Sequence, residues 1–282
     1  MNTIEKAIER LKRGSSIKQS TNVEGVTTKV NSGSSIMSSK TNLNINFDKL
    51  CEAGYLTPDQ SNQVLTDEYR VIKRPLLKNA FGRGVVPIAN GNVIMVSSAL
   101  PGEGKTFTSF NLAISMALEK DTTVLLVDSD LTKPGLSKLL NIHKLPGLGD
   151  YLVDGNVNLS NVILRTNLKR LSVLPAGKCG EDTTEMLASQ KLKDVIEELA
   201  SRYSDRIVIF DLPPIMVTTH AEVMLENAGQ SVLVIEEGKT QQHIVKAAVS
   251  KMKEDSVVGL LLNKCATTHK STYYGSYGTY GN

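Results

Sequence analysis

Cysteine is scarce in this chain: Cys51, Cys179 and Cys265 are the three it has, far apart over 282 residues. An odd number at that spacing excludes a disulfide framework. No Cys or His pair stands at metal-ligand spacing, so the thiols read as reduced, in a cytosolic protein. Long apolar runs are missing as well. None approaches the ~20 residues of a membrane span, and the opening MNTIEKAIERLKR lacks the apolar core of a signal peptide. Membrane association is therefore expected only through a partner. A strong excess of one charge sign is also absent. The formal net charge of +3 is too small to argue for nucleic acid. Hydrophobic content of 40% and charged content of 22% are ordinary for a globular protein, and the length suits one large domain or a domain with an appendage.

What the chain does have is the stretch Asn92 to Leu112, NVIMVSSALPGEGKTFTSFNL. Val93–Val96 read as an apolar strand, Ala99–Thr106 as a turn and Phe107–Leu118 as a helix leaving it. The turn fits the phosphate loop GxxxxGK[ST], with Ala99 at the first glycine. Gly102 and Gly104 leave room for backbone N–H groups to curl around phosphate oxygens. Lys105 brings a positive charge to the outer phosphates, and Thr106 offers a hydroxyl to Mg²⁺. The helix N-terminus behind the loop adds roughly half a unit of positive charge.

Ahead of this stretch, Ile4, Ala7, Ile8 and Leu11 fall at helical spacing and predict a short amphipathic helix over 1–13. Gly14–Asn46 is rich in Ser, Thr, Asn, Lys and Gly. It buries too little to offset chain entropy and is expected to be a disordered linker. Phe47–Thr57 is a small apolar patch ending at Pro58. Asp67–Lys78 reads as a helix that Pro75 ends or kinks, with Asp67, Arg70 and Lys73 spaced three apart on one face. From Val93 onward strands and helices alternate. The strand candidates are Val93–Val96, Thr123–Val127, Leu171–Leu174, Ile207–Phe210, Ser231–Ile235 and Val257–Leu262, and Gln190–Arg202 and Gln241–Lys253 are the clearest helices. Near-continuous apolar runs suit strands covered on both faces. The fold expected is α/β: a mainly parallel sheet of the P-loop kind, with helices on both faces. Ligands in such sheets bind beyond the carboxyl ends of the strands, which gathers the loops after Val96, Val127, Phe210 and Leu262.

Three aspartates stand at those ends. Asp128 and Asp130 follow Val127, and Asp211 follows Phe210. A carboxylate there is costly unless something uses its charge, and a Mg²⁺-nucleotide does. Asp211 then reads as a metal carboxylate, with Asp128 and Asp130 as a second acidic pair, one of which could take a proton from an attacking hydroxyl. Asn263, after the last strand, either hydrogen-bonds the adenine ring or closes a turn. The tail STYYGSYGTYGN holds Tyr273, Tyr274, Tyr277 and Tyr280, half of the eight tyrosines. Separated by Gly and Ser, they read as phosphate acceptors. Four phosphates would add roughly −6 to −8 charges and reverse the sign of the whole protein.

Together these residues resemble the bacterial tyrosine kinases of capsule and exopolysaccharide synthesis, which are P-loop proteins. SSALPGEGKT is similar to their Walker A motif, VLLVDSDLTKP to Walker A′ and VIFDLPP to Walker B, and the tyrosine-rich tail to their autophosphorylation site. The opening IEKAIERL and the segment EYRVIKRPLL look most like the soluble, exosortase-associated members. Asp67, Arg70 and Lys73 fall in register with the family's ExxRxxR interface motif, with Asp and Lys in place of Glu and Arg. Thr132 stands where an arginine is common. The resemblance implies an ATP- and Mg²⁺-dependent protein-tyrosine autokinase acting on tail tyrosines of a neighbouring copy and regulating exopolysaccharide assembly. It implies catalytic roles for Lys105, Asp128 and Asp130. Nucleotide contacts are expected from Pro101, Gly102, Glu103, Gly104, Lys105, Thr106, Phe107 and Asn263, and metal contacts from Thr106, Asp128 and Asp211. A kinase domain over 67–265 is expected, with a linker over 14–66 and a flexible tail over 266–282. The expected partners are further copies of the chain, a membrane chain-length-determinant protein and a cognate phosphatase, which places the chain at the inner face of the inner membrane. The rival readings are a ParA/MinD-like ATPase switch, whose signature lysine is absent because Leu100 stands there, and a nucleotide-binding regulator of a polysaccharide assembly.

Overall fold

Six near-continuous apolar segments supply most of the sheet, and each forms a strand about where the pattern puts it, the last of them at a partly exposed edge. A computed structural model describes residues 42–82, 88–154, 157–178, 180, 183–201, 205–252 and 256–266. The strands are β1 (Asn42–Leu43), β2 (Val93–Ser98), β3 (Thr123–Asp128), β4 (Leu164–Thr166), β5 (Leu171–Leu174), β6 (Arg206–Asp211), β7 (Gln230–Glu236) and β8 (Val257–Asn263). They form one sheet in the order β1-β4-β5-β3-β6-β2-β7-β8, and all neighbours run parallel except β4 and β5.

The helices are α1 (Phe47–Glu52), α2 (Gln63–Ala80), α3 (Lys105–Ala117), α4 (Gly135–Leu139), α5 (Leu148–Val153), α6 (Leu159–Val162), α7 (Thr183–Leu187), α8 (Gln190–Ser201), α9 (Thr219–Leu225) and α10 (Gln242–Ser250). Successive side chains of a strand point to opposite faces, so the central strands feed two cores. Val93, Met95, Leu125, Val127, Val208 and Phe210 pack with Leu192, Val195, Ile196 and Leu199 of α8 and with Ala221, Met224 and Leu225 of α9. Ile94, Val96, Val124, Leu126, Ile207 and Ile209 pack with α3 and with Tyr69 and Leu76 of α2. The parallel sheet with helices on both faces is the architecture expected.

Four expectations change. First, the folded part begins well before residue 67. Ile45, Leu50 and Leu56, inside the expected linker, are 3–6% exposed and belong to the α3-side core. Polar contacts fasten this segment: Asn167 Oδ1 accepts from Ile45 N at 3.1 Å, and Asn111 Oδ1 accepts from Leu56 N at 2.8 Å. Second, Pro75 lies inside α2 and does not end it. The ring is on the exposed side of the helix, where water can serve the carbonyl it leaves unbonded. Third, β1, β4 and the short helices α4, α5, α6, α7 and α9 were not among the expected elements. Fourth, α2 starts at Gln63, where Asn62 Oδ1 caps Leu65 N at 3.1 Å. The expected helix over 1–13, the linker up to residue 41 and the tail from residue 267 lie outside the described residues. Among the described residues, no helix is long and apolar enough to cross a membrane.

Candidate functional site

Parallel strands bring β2, β3, β6 and β8 to one edge with their carboxyl ends together. The loop after β2 turns through Gly102 at φ +85° and Gly104 at φ +101°, and α3 starts at Lys105. Both glycines are required where they stand, since L side chains rarely adopt this backbone region. At Gly104 space forbids a side chain too: an added Cβ would lie 2.1 Å from Asn263 Nδ2. The loop also braces itself. Glu103, 2% exposed, accepts from Leu100 N at 2.7 Å and from the Thr240 hydroxyl, and Ser98 Oγ donates to Leu100 O at 2.8 Å.

The three aspartates converge on the start of α3. In the β3–β6 register Asp128 stands opposite Asp211. Asp211 is fully buried. Its Oδ2 accepts from Thr106 Oγ1 at 2.7 Å and its Oδ1 from Ser109 Oγ at 3.1 Å. The Lys105 ammonium lies 3.2 Å from Asp130 Oδ2 and 3.8 Å from Asp211 Oδ1. Asp128 Oδ2 accepts from Ser137 N at 2.7 Å, while its buried Oδ1 has no partner. Burial, then the neighbouring Asp211 charge, pushes the Asp128 carboxyl up to about 7. Burial also raises the Asp211 carboxyl. Burial alone would lower the Lys105 ammonium, but Asp211 and Asp130 outweigh it and hold the group above the ordinary lysine value.

Among the described residues no group of three or more His, Cys, Asp or Glu side chains forms an all-protein metal cage. Mg²⁺ does not need one. It keeps several waters and is bound through one or two carboxylates plus substrate phosphates. The Thr106 hydroxyl on Asp211 and the unpartnered Asp128 Oδ1 fit that requirement.

The structure thus brings Lys105, Thr106, Asp128, Asp130 and Asp211 together. Pro101, Gly102, Glu103 and Gly104 form the loop, and Phe107 lies in the first turn of α3 with its ring 4.9 Å from that of Tyr55. Asn263 Nδ2 donates to Glu103 O at 2.8 Å, so its amide nitrogen serves the loop. Asp67, Arg70 and Lys73 do not form one exposed face. Arg70 bridges Asp67 Oδ1 and Gln60 Oε1, both at 2.8 Å. Lys73 is buried: it donates to Ser115 O at 2.7 Å and pairs with Glu119 at 2.6 Å, at the C-terminal end of α3. Thr132 is exposed. Tyr273, Tyr274, Tyr277 and Tyr280 lie outside the described residues. Sequence reasoning missed Ser109, Ser137, Thr240 and Lys264. Only Ser109 carried a signal, one turn beyond Lys105 on the helix the loop starts.

Residues 91–256 match the family described as "AAA domain". Tyrosine-protein kinase YwqD of Bacillus subtilis is 33% identical over 192 residues, which is 67% of this chain and 78% of that protein. The kinase domain of the Escherichia coli tyrosine kinase ETK superposes with a TM-score of 0.57 at 27% identity, over 64% of this chain and 71% of the other. The septum site-determining protein MinD from Pyrococcus horikoshii, complexed with Mg-ADP, gives a TM-score of 0.50 at 26% identity, over 60% of this chain and 70% of the other.

Proposed function

Since the chain belongs to the bacterial tyrosine-protein kinase family, we propose that it transfers the γ-phosphate of ATP to Tyr273, Tyr274, Tyr277 and Tyr280 of a neighbouring copy's tail, and that this regulates exopolysaccharide polymerisation and export. One observation supports the assignment of the site above others: Lys105 and Thr106, at the mouth of the glycine loop, are held by aspartates from two other strands. The loop amides and the Lys105 ammonium bind the β- and γ-phosphates. Lys105 exchanges Asp130 for phosphate oxygens as they arrive. Thr106, Asp211 and the free Oδ1 of Asp128 would hold Mg²⁺, whose chemistry is to neutralise phosphate charge. Asp128, helped by Asp130, takes the tyrosine proton. Positioning and charge supply most of the rate.

The test is incubation of the purified chain with labelled Mg-ATP, followed by mass spectrometry of the tail. Phosphate is expected on the four tail tyrosines. Lys105→Ala should lower incorporation by about 100-fold or more, the scale on which losing one charge-stabilising group acts. Incorporation that survives this change would overturn the assignment.

The chain is proposed to self-associate, with Asp67 and Arg70 as the exposed members of the interface. It is proposed to be cytoplasmic and held at the inner membrane by a chain-length-determinant protein that activates it, with a phosphatase resetting the tail. Sedimentation reads both statements: assemblies heavier than one chain in buffer, and pelleting with vesicles only when they carry that protein. A monomer that never pelleted would sink both.

A further inference from the structure

Two successive peptide planes of the phosphate loop are held from outside by the end of β8. Lys264 Nζ donates to Gly102 O at 2.7 Å, and Asn263 Nδ2 donates to Glu103 O at 2.8 Å. In a trans peptide the N–H points opposite to the C=O. Pinning the Gly102 carbonyl therefore aims the Glu103 N–H away from β8, and pinning the Glu103 carbonyl does the same for the Gly104 N–H. These are consecutive donors of the turn that receives phosphate.

The holder is itself held. Glu236 Oε2 lies 3.0 Å from the Lys264 ammonium, and Glu237 N donates to Asn263 O at 3.0 Å. Lys264 stands at φ +58°, a region a lysine rarely adopts. Such a backbone persists only where its surroundings over-determine it, and it tends to mark a working position. The side chain is 47% exposed, so burial of its stem does not explain why it is there.

We propose that Lys264, oriented by Glu236, is a positioning residue for nucleotide binding. It presets the backbone donors of the phosphate loop before phosphate arrives, so that binding does not bear the cost of ordering them. The proposal deepens the nucleotide reading and rests on it.

Calorimetric titration of the full chain with Mg-ADP tests it. Lys264→Met should weaken binding by about tenfold, the scale of one lost hydrogen bond from a charged donor. Lys264→Arg should stay within about threefold of the unaltered chain, because the charge and donor remain. Glu236→Gln should fall between, because Lys264 keeps its donor but loses its guide. In tail phosphorylation the loss should fall on the KM for ATP rather than on kcat, and melting without nucleotide should be unchanged. Lys264→Met binding as tightly as the unaltered chain overturns the proposal. So does a loss that arginine does not rescue and that comes with a lower melting temperature without nucleotide. Should Lys264→Met fail to fold, Glu236→Gln decides, and binding equal to the unaltered chain overturns it. No heat from the unaltered chain sinks the nucleotide reading itself, whereas heat that ignores Lys264 and Glu236 sinks this proposal alone.

Discussion

At the scale of the residue, the site stores electrostatic tension in Asp128. Its carboxyl has an ordinary value of 3.8 and sits near 7 in the fold. Between those values the folded chain keeps the proton and the unfolded chain releases it. The contribution of Asp128 to stability is therefore fullest in acid and is lost as pH rises through about 7. Without nucleotide or Mg²⁺, Asp128→Asn should raise the melting temperature more at pH 8 than at pH 5. The difference at pH 8 should be on the order of a few kcal/mol. Melts of both proteins at the two pH values check this, and an equal gap would contradict it. The same charge that costs stability serves the proton transfer and metal contact proposed for the site. Lys73 shows the reverse. Its place in the ExxRxxR register suggests an interface, yet its ammonium is spent on Ser115 O and Glu119. Spacing along one helix could not disclose a partner at the end of another.

At the scale of the element, the segment before α2 works as a strap across α3. Asn46 Oδ1 caps α1 by accepting from Lys49 N at 3.0 Å. Tyr55 then packs on Phe107 and Phe110 with ring centroids 4.9 and 5.5 Å away. The strap carries Ile45, Leu50 and Leu56 into the core. Each buried aliphatic side chain is worth roughly 1.5–3 kcal/mol, against a total stability of about 5–15 kcal/mol for a typical domain. A chain beginning at residue 67 should therefore unfold at a clearly lower urea midpoint than one beginning at residue 42. Equal midpoints would show that the strap contributes nothing. Composition hid the strap, because its three core residues are scattered among polar ones that cap, turn and bridge. The two-residue β1 and three-residue β4 were hidden for another reason: they are too short to show any period.

At the scale of the whole molecule, the parallel sheet was legible because strands covered on both faces must be apolar almost throughout. β2, β3, β6 and β7 have nearly every residue buried. Charged residues ending such runs stood out, which made Asp128 and Asp211 readable from sequence. The outer brace of the loop was not readable. Asn263 and Lys264 meet the loop across 160 and 162 positions of chain, and no local pattern records such a meeting. Strand order carries a consequence for biosynthesis. β2 and its loop leave the ribosome well before β8, whose end lies 160 positions further along the chain than Glu103. A nascent chain therefore has its glycine turn long before that turn has its outer support, and the two can join only once β8 has been made. Bracing of the glycine turn is thus timed by the order of synthesis.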